Sequence, residues 1–295
     1  MAGALASLPW RSLTVPGILA CLGTFYAARK LAEHGHGGIA FAGSLFCLFL
    51  YLIPYFFYGF PQSRQWFEDK IRDQNFLTLT GVLLVPYVIY GVTTWTFSLH
   101  NFLTVLSFCI TPLAFCELAK RQPTLRLFWL ACGVAAIWLP FDFDIVTHLW
   151  PWPEGNGAYV INVILAVDVA LIGFITIGKT PDVGYWLTPQ TKGSFGTGIS
   201  DLEVTVKELF SFCCIGIPLA FAIGFITFNP SVSGPIAFFE TFLGIFLTIA
   251  LPEELLFRGL FQNLLGGFIK RRWHVIAIAA IVFGAAHLNN GPPLP

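Results

Sequence analysis

Glu253, Glu254, Arg258 and His287 are the residues of this chain whose types and spacing could do chemistry. The two glutamates and the arginine lie in Leu-Pro-Glu-Glu-Leu-Leu-Phe-Arg-Gly, which continues one of the most hydrophobic stretches of the sequence. An ionised carboxylate in lipid loses its hydration and finds little in return, so an ionisable residue at membrane depth marks a functional site with a partner. On a helix, Glu254 and Arg258 share a face at i,i+4. Glu253 points about 100° away from Glu254 and is freer to face a cavity. A carboxylate there suits a general base that activates water. His287 could polarise a carbonyl, stabilise an oxyanion or bind a metal. A plainer reading stands beside this one: a buried Glu–Arg pair often only joins helices, and a membrane histidine often only bonds a neighbour.

Composition says which elements must position these residues. The chain has 295 residues, 56% of them hydrophobic, 16% aromatic and 11% charged, with mean hydropathy +0.74. Soluble domains carry about 25% charged residues, so this sequence cannot cover a globular surface. The expected fold is an all-α polytopic transmembrane bundle, since helices satisfy their own backbone in lipid. Zero net charge argues against a nucleic-acid partner. The seven cysteines include no Cys-x-x-Cys pair, against a disulfide framework or zinc knuckle, and read as buried, inert thiols.

Apolar runs long enough to span a bilayer occur about nine times: near 13–28, 39–60, 76–98, 102–118, 126–141, 158–178, 208–228, 235–251 and 274–288. Arg29 and Lys30 follow the first run with no small-residue cleavage site, so it reads as a span and not a signal peptide. With the N-terminus cytoplasmic, every Lys and Arg except Arg29 and Lys30 falls on the cytoplasmic side, as the positive-inside rule favours. The expected location is a bacterial plasma membrane. A polar stretch rich in Gly, Thr and Pro divides the chain into an N-terminal bundle at 1–180, a cytoplasmic linker at 181–207 that ends in an amphipathic helix, and a C-terminal core at 208–295.

Within that core, 235–287 reads as a helical hairpin whose turn is the basic, aromatic cluster 268–274. Glu254 and His287 each lie about 24 Å from the turn by helical rise, so antiparallel packing brings the glutamates and the histidine to similar depth. Small residues before His287 (Gly284, Ala285, Ala286) allow close approach, and Pro252 can kink the helix and admit water.

Glu253-Glu254-x-x-x-Arg258 followed by Phe283-x-x-x-His287 resembles the first two motifs of the CPBP family, the CAAX-processing and bacteriocin-processing intramembrane proteases. The resemblance covers about residues 235–295. It implies a membrane endopeptidase that cleaves protein or peptide substrates, including prenylated ones, near the cytoplasmic face. Glu253 would activate water with the motif histidines, while Glu254 and Arg258 support or orient. The resemblance leaves zinc or another divalent metal open, with Glu253 and His287 as the candidate ligands; there is no His-Glu-x-x-His, and one histidine with two carboxylates is an incomplete zinc set. The family's third motif, His-x-x-x-Asn/Asp on a later helix, does not occur before Pro295, so a truncated and inactive chain is an expectation too.

Two other classes compete. One is a non-catalytic membrane scaffold of the same family. The other is an ion- or proton-coupled transporter using Asp168 with the glutamates, although no repeat or pair of broken helices supports it. Asp168 and Glu240 also have bland readings, bonding a facing helix. His34, His36, His100, His148 and His274 read as interfacial residues.

Overall fold

The computed structural model describes residues 10–147, 149–152, 157–180, 199–224, 226–227 and 234–287. Among them it contains ten helices and no strand. They are α1 (Trp10–Glu33), α2 (Gly38–Phe57), α3 (Pro61–Ile71), α4 (Phe76–Thr93), α5 (Leu99–Arg121), α6 (Arg126–Asp142, entered by a 3-10 turn), α7 (Gly157–Ile177), α8 (199–222), α9 (Pro235–Phe268) and α10 (Arg272–Ala286). The all-α membrane bundle expected from composition is what the structure shows.

Six of these helices are long and apolar enough to cross a membrane: α2, α4, α5, α6 with its leading turn, α7 and α9. The other three apolar runs are also helical, as α1, α8 and α10. At 15 residues, α10 rises about 22 Å, short of the roughly 30 Å hydrocarbon core. The short helix α3, rich in charge, is an addition to the expected set; Arg64 and Glu68 pair on it at 2.7 Å.

The N-terminal helices pack as sequential antiparallel neighbours, α1 on α2, α2 on α4, α4 on α5 and α5 on α6. Their centre is α7, which is hydrophobic on every side and 94% buried. Its ends are pinned by polar bonds. At one end Trp150 Nε1 donates to Asn162 Oδ1 at 2.6 Å, and Asn162 Nδ2 donates to the Val146 carbonyl at 2.5 Å. Trp150 is enclosed edge-on by Tyr51, Tyr87 and Tyr90. At the other end Arg126 donates to the Gly178 and Lys179 carbonyls, and Tyr58 bonds Thr176 at 2.7 Å. Asn162 thus clamps a loop.

By contrast α9, only 6% buried over its most apolar window, lies on the outside of the bundle. Trp138 of α6 packs against Phe257 at 5.8 Å between ring centres. Leu127, at the other end of α6, lies beside Gly267. The two helices are therefore antiparallel. Near the start of α9, Glu240 meets Lys30 of α1 at 3.4 Å. The end of α1 and the start of α9 share one face of the molecule, where nine alternating spans would place them.

Residues 181–198 of the expected linker lie outside the described residues. From Ile199 the amphipathic helix runs without a break into the apolar run at 208, as α8. Cys47, Cys109 and Cys116 are buried, but Cys21, Cys213 and Cys214 are exposed on α1 and α8. Uniformly buried thiols were the expectation; in a membrane bundle an apolar run also presents residues outward, and these three sit there.

Candidate active site

Helix α9 and helix α10 form a hairpin joined at Ile269–Arg271. The hairpin brings Glu253 Oε1 to 3.5 Å from His287 Nε2. His287 is the first residue after α10, and its Nδ1 lies 2.8 Å from the Phe283 carbonyl one turn back. A carbonyl only accepts, so Nδ1 carries a proton and Nε2 is the nitrogen that faces the glutamate. Glu254 and Arg258 form their own pair at 2.9 Å. Their side chains are 52% and 72% exposed, on the open side of the hairpin. The two neighbouring glutamates thus face different ways, and only Glu253 meets the histidine.

The local backbone follows from sequence. Pro252 offers no N–H to the turn behind it. Around it α9 widens twice, into π-helical turns at Phe246–Ala250 and Glu254–Gln262. Such bulges often gather at functional sites; here α7 and α8 carry them too, at Leu171–Ile177 and Phe212–Gly216, so the bulges alone do not mark the site. Small residues at Ala279 and Ala280 on α10 let the facing helix approach.

Between the two helices lies a cavity of about 200 Å³ lined by Glu253, Glu254, Phe257, Arg258, Gln262, Ile276, Ala279, Ala280 and Phe283. It is apolar along the α10 wall and polar along α9. His287 stands at its Glu253 end, with its ring centre 4.6 Å from that of Phe283. Phe283 meets Phe257 edge-on at 5.0 Å, and Phe257 meets Trp138. The aromatic series His287, Phe283, Phe257, Trp138 ties the pair to α6 of the N-terminal bundle.

All four residues singled out from sequence therefore lie on this hairpin, as two pairs. Phe257, Gln262, Trp138 and Tyr55, whose hydroxyl bonds the Leu247 carbonyl of α9 at 2.5 Å, were not foreseen. Phe257 had a local signal, since it lies one turn after Glu253 just as Phe283 lies one turn before His287. Trp138 and Tyr55 come from distant helices and had none.

Elsewhere, Asp168 is fully buried in α7, and among the described residues neither carboxyl oxygen has a hydrogen-bond partner. Glu240 is an ion-pair partner of Lys30. His34 bonds the Lys30 carbonyl, and His148 lies outside the described residues. Among the described residues no group of three or more His, Cys, Asp or Glu is placed to hold a metal ion. Glu253 and His287 alone supply two donors, fewer than a zinc site needs, so these residues do not fit a metal centre by themselves.

Residues 235–294 match the family described as type II CAAX prenyl endopeptidase Rce1-like. The match is consistent with a protease of the CPBP family in this part of the chain and supports an intramembrane endopeptidase in general terms. No curated protein and no solved structure matches the chain.

Proposed function

We infer that this chain is an intramembrane endopeptidase in which Glu253 and His287 act together on one water molecule. The observation that carries the reading is the 3.5 Å approach of Glu253 Oε1 to His287 Nε2 at the end of a cavity, within the segment that matches a protease family. With Nδ1–H committed to the Phe283 carbonyl, Nε2 is an acceptor in the neutral ring. A water between the two acceptors donates one proton to each, which turns its lone pair outward toward the substrate carbonyl. Glu253 takes the proton as the water oxygen bonds to the carbonyl carbon. It then delivers that proton to the amide nitrogen as the C–N bond breaks. Glu254 and Arg258 support this arrangement by neutralising each other on the adjacent face.

The substrate is a protein or peptide chain, and the apolar wall of the cavity suits an aliphatic or prenylated segment. Both members of the pair lie about 22 Å from the hairpin turn by helical rise, so the substrate must reach into the molecule. We place cleavage toward the cytoplasmic side because the hairpin turn is the basic cluster that the positive-inside rule puts there. No step is assigned to a metal.

The test is cleavage of a quenched fluorescent prenylated CAAX peptide by the full-length protein in phospholipid vesicles. Glu253→Gln and His287→Ala should each lower kcat by at least about a hundredfold while the variants remain folded by circular dichroism. Wild-type turnover in both folded variants would sink the assignment. The scaffold alternative predicts that wild-type protein turns nothing over.

A further inference from the structure

The widened turn before the glutamates leaves one carbonyl without a helical donor. In Phe246–Ala250 the Leu251 N–H reaches back five residues to the Phe246 carbonyl. In an α-helix that N–H would serve Leu247. The next position along is Pro252, which has no N–H to offer. A backbone carbonyl cut off from both partner and water costs about as much as a lost hydrogen bond. The Tyr55 hydroxyl, carried by α2, donates to the Leu247 carbonyl at 2.5 Å. Tyr55 itself is 1% exposed, fixed in the core of the N-terminal bundle.

A π bulge is an α-helix with one residue inserted, so it rotates everything after it by about 100° relative to α register. Glu253 lies three residues beyond the bulge. Closing the bulge returns the Leu251 N–H to Leu247 and turns Glu253 by the angle that separates neighbouring residues. A neighbour of Glu253 would then face His287.

We propose that Tyr55 is a positioning residue: by holding the Leu247 carbonyl it keeps the bulge open and keeps Glu253 turned toward His287. This rests on the reading of Glu253 and His287 as the hydrolytic pair. Tyr55 lies outside the segment that matches the protease family, so the N-terminal bundle sets the register of a helix it does not form. Tyr51, one turn earlier on α2, is an internal control. Its hydroxyl donates to the Leu83 carbonyl at 2.9 Å and ties α2 to α4.

Tyr55→Phe and Tyr51→Phe remove equivalent hydroxyl–carbonyl bonds, and only the first touches α9. With the prenylated CAAX peptide in vesicles, Tyr55→Phe should lower kcat about fivefold, one net hydrogen bond, with KM unchanged. Tyr51→Phe should keep the wild-type kcat. Equal losses in the two variants, or no loss in Tyr55→Phe, overturn the proposal. A second measurement is independent of turnover. Cysteines at Phe257→Cys and Phe283→Cys, replacing rings 5.0 Å apart, report helix register by the rate of disulfide formation in a background lacking the native cysteines. The cross-link should form several-fold more slowly when Tyr55→Phe is added. An unchanged rate overturns the positioning role. A slowed rate in a protein that cleaves nothing supports the role and removes only the hydrolase reading.

Discussion

Replacing Asp168 with leucine should make this protein more stable. Asp168 is 0% exposed at the centre of α7, and neither of its carboxyl oxygens has a hydrogen-bond partner among the described residues. The hydroxyls that feel its field are already committed: Tyr51 to the Leu83 carbonyl, Tyr55 to the Leu247 carbonyl and Tyr58 to Thr176. Cys109, the other titratable neighbour, offers only a weak donor. Each buried polar atom left unpaired costs about 1–3 kcal/mol. Leucine repeats the branching of aspartate at Cγ with apolar atoms, at a packing cost of about 1 kcal/mol. The balance is a gain of at least about 1 kcal/mol. Asp168→Asn keeps the shape and the unpaired polar atoms, so it should change little. Unfolding in a titration with sodium dodecyl sulfate, followed by helical circular dichroism, measures both variants against wild type. A loss of more than about 1 kcal/mol in Asp168→Leu relative to Asp168→Asn would refute the reasoning, because it would reveal a partner worth more than the penalty. That result would favour the reading in which Asp168 bonds a facing helix.

The remaining predictions concern the two ion pairs that bear on α9. Arg258→Ala should destabilise by more than about 1 kcal/mol, because in an apolar span Glu254 keeps its charge without the water that screens a surface pair. The same detergent titration decides it: a loss under about 1 kcal/mol is that of a solvated pair and would place this part of the hairpin in water. The Lys30–Glu240 contact adds a pH dependence. Its hydrogen bond to Glu240, ahead of the charges of Tyr26, Glu240 and Glu33, raises the Lys30 ammonium above the ordinary lysine range. A raised pKa means that the contribution is complete below the ordinary lysine value and is lost as pH rises through the raised one. The difference in stability between wild type and Lys30→Met should therefore vanish at strongly alkaline pH, and a difference independent of pH would contradict the pairing.

Much of the molecule was legible in its sequence because a bilayer enforces simple rules. A chain with 11% charged residues must bury its backbone polar groups in helices, and the nine apolar runs all become helical. What the runs did not reveal is their rank. The run at 158–178 becomes the core helix α7 while the run at 235–251 begins the peripheral helix α9, although both are strongly apolar. Hydropathy records transfer from water to an apolar medium and is blind to whether that medium is protein or lipid. The difference lies in placement: α7 is enclosed by α2, α5 and α6, whereas α9 rests on α6, α7 and α10 and leaves its outer side open.

The site divides along the same line. Glu254 and Arg258 meet through one helical turn, and Glu253 meets His287 across a single hairpin, so periodicity and depth from the basic turn suffice to foresee both contacts. The π turns did not follow from spacing, because an α-helical wheel has no place for an inserted residue. The cause of the first, at Phe246–Ala250, is nonetheless written in the chain. Pro252 denies a donor to the carbonyls behind it, and a helix that cannot bond in one register finds another if an outside donor holds the carbonyl left over. That donor is Tyr55, 192 residues away in sequence from Leu247, a separation at which neither periodicity nor composition carries information. The glutamate helix is thus incomplete on its own terms, and the N-terminal bundle supplies the hydroxyl that fixes which face Glu253 presents.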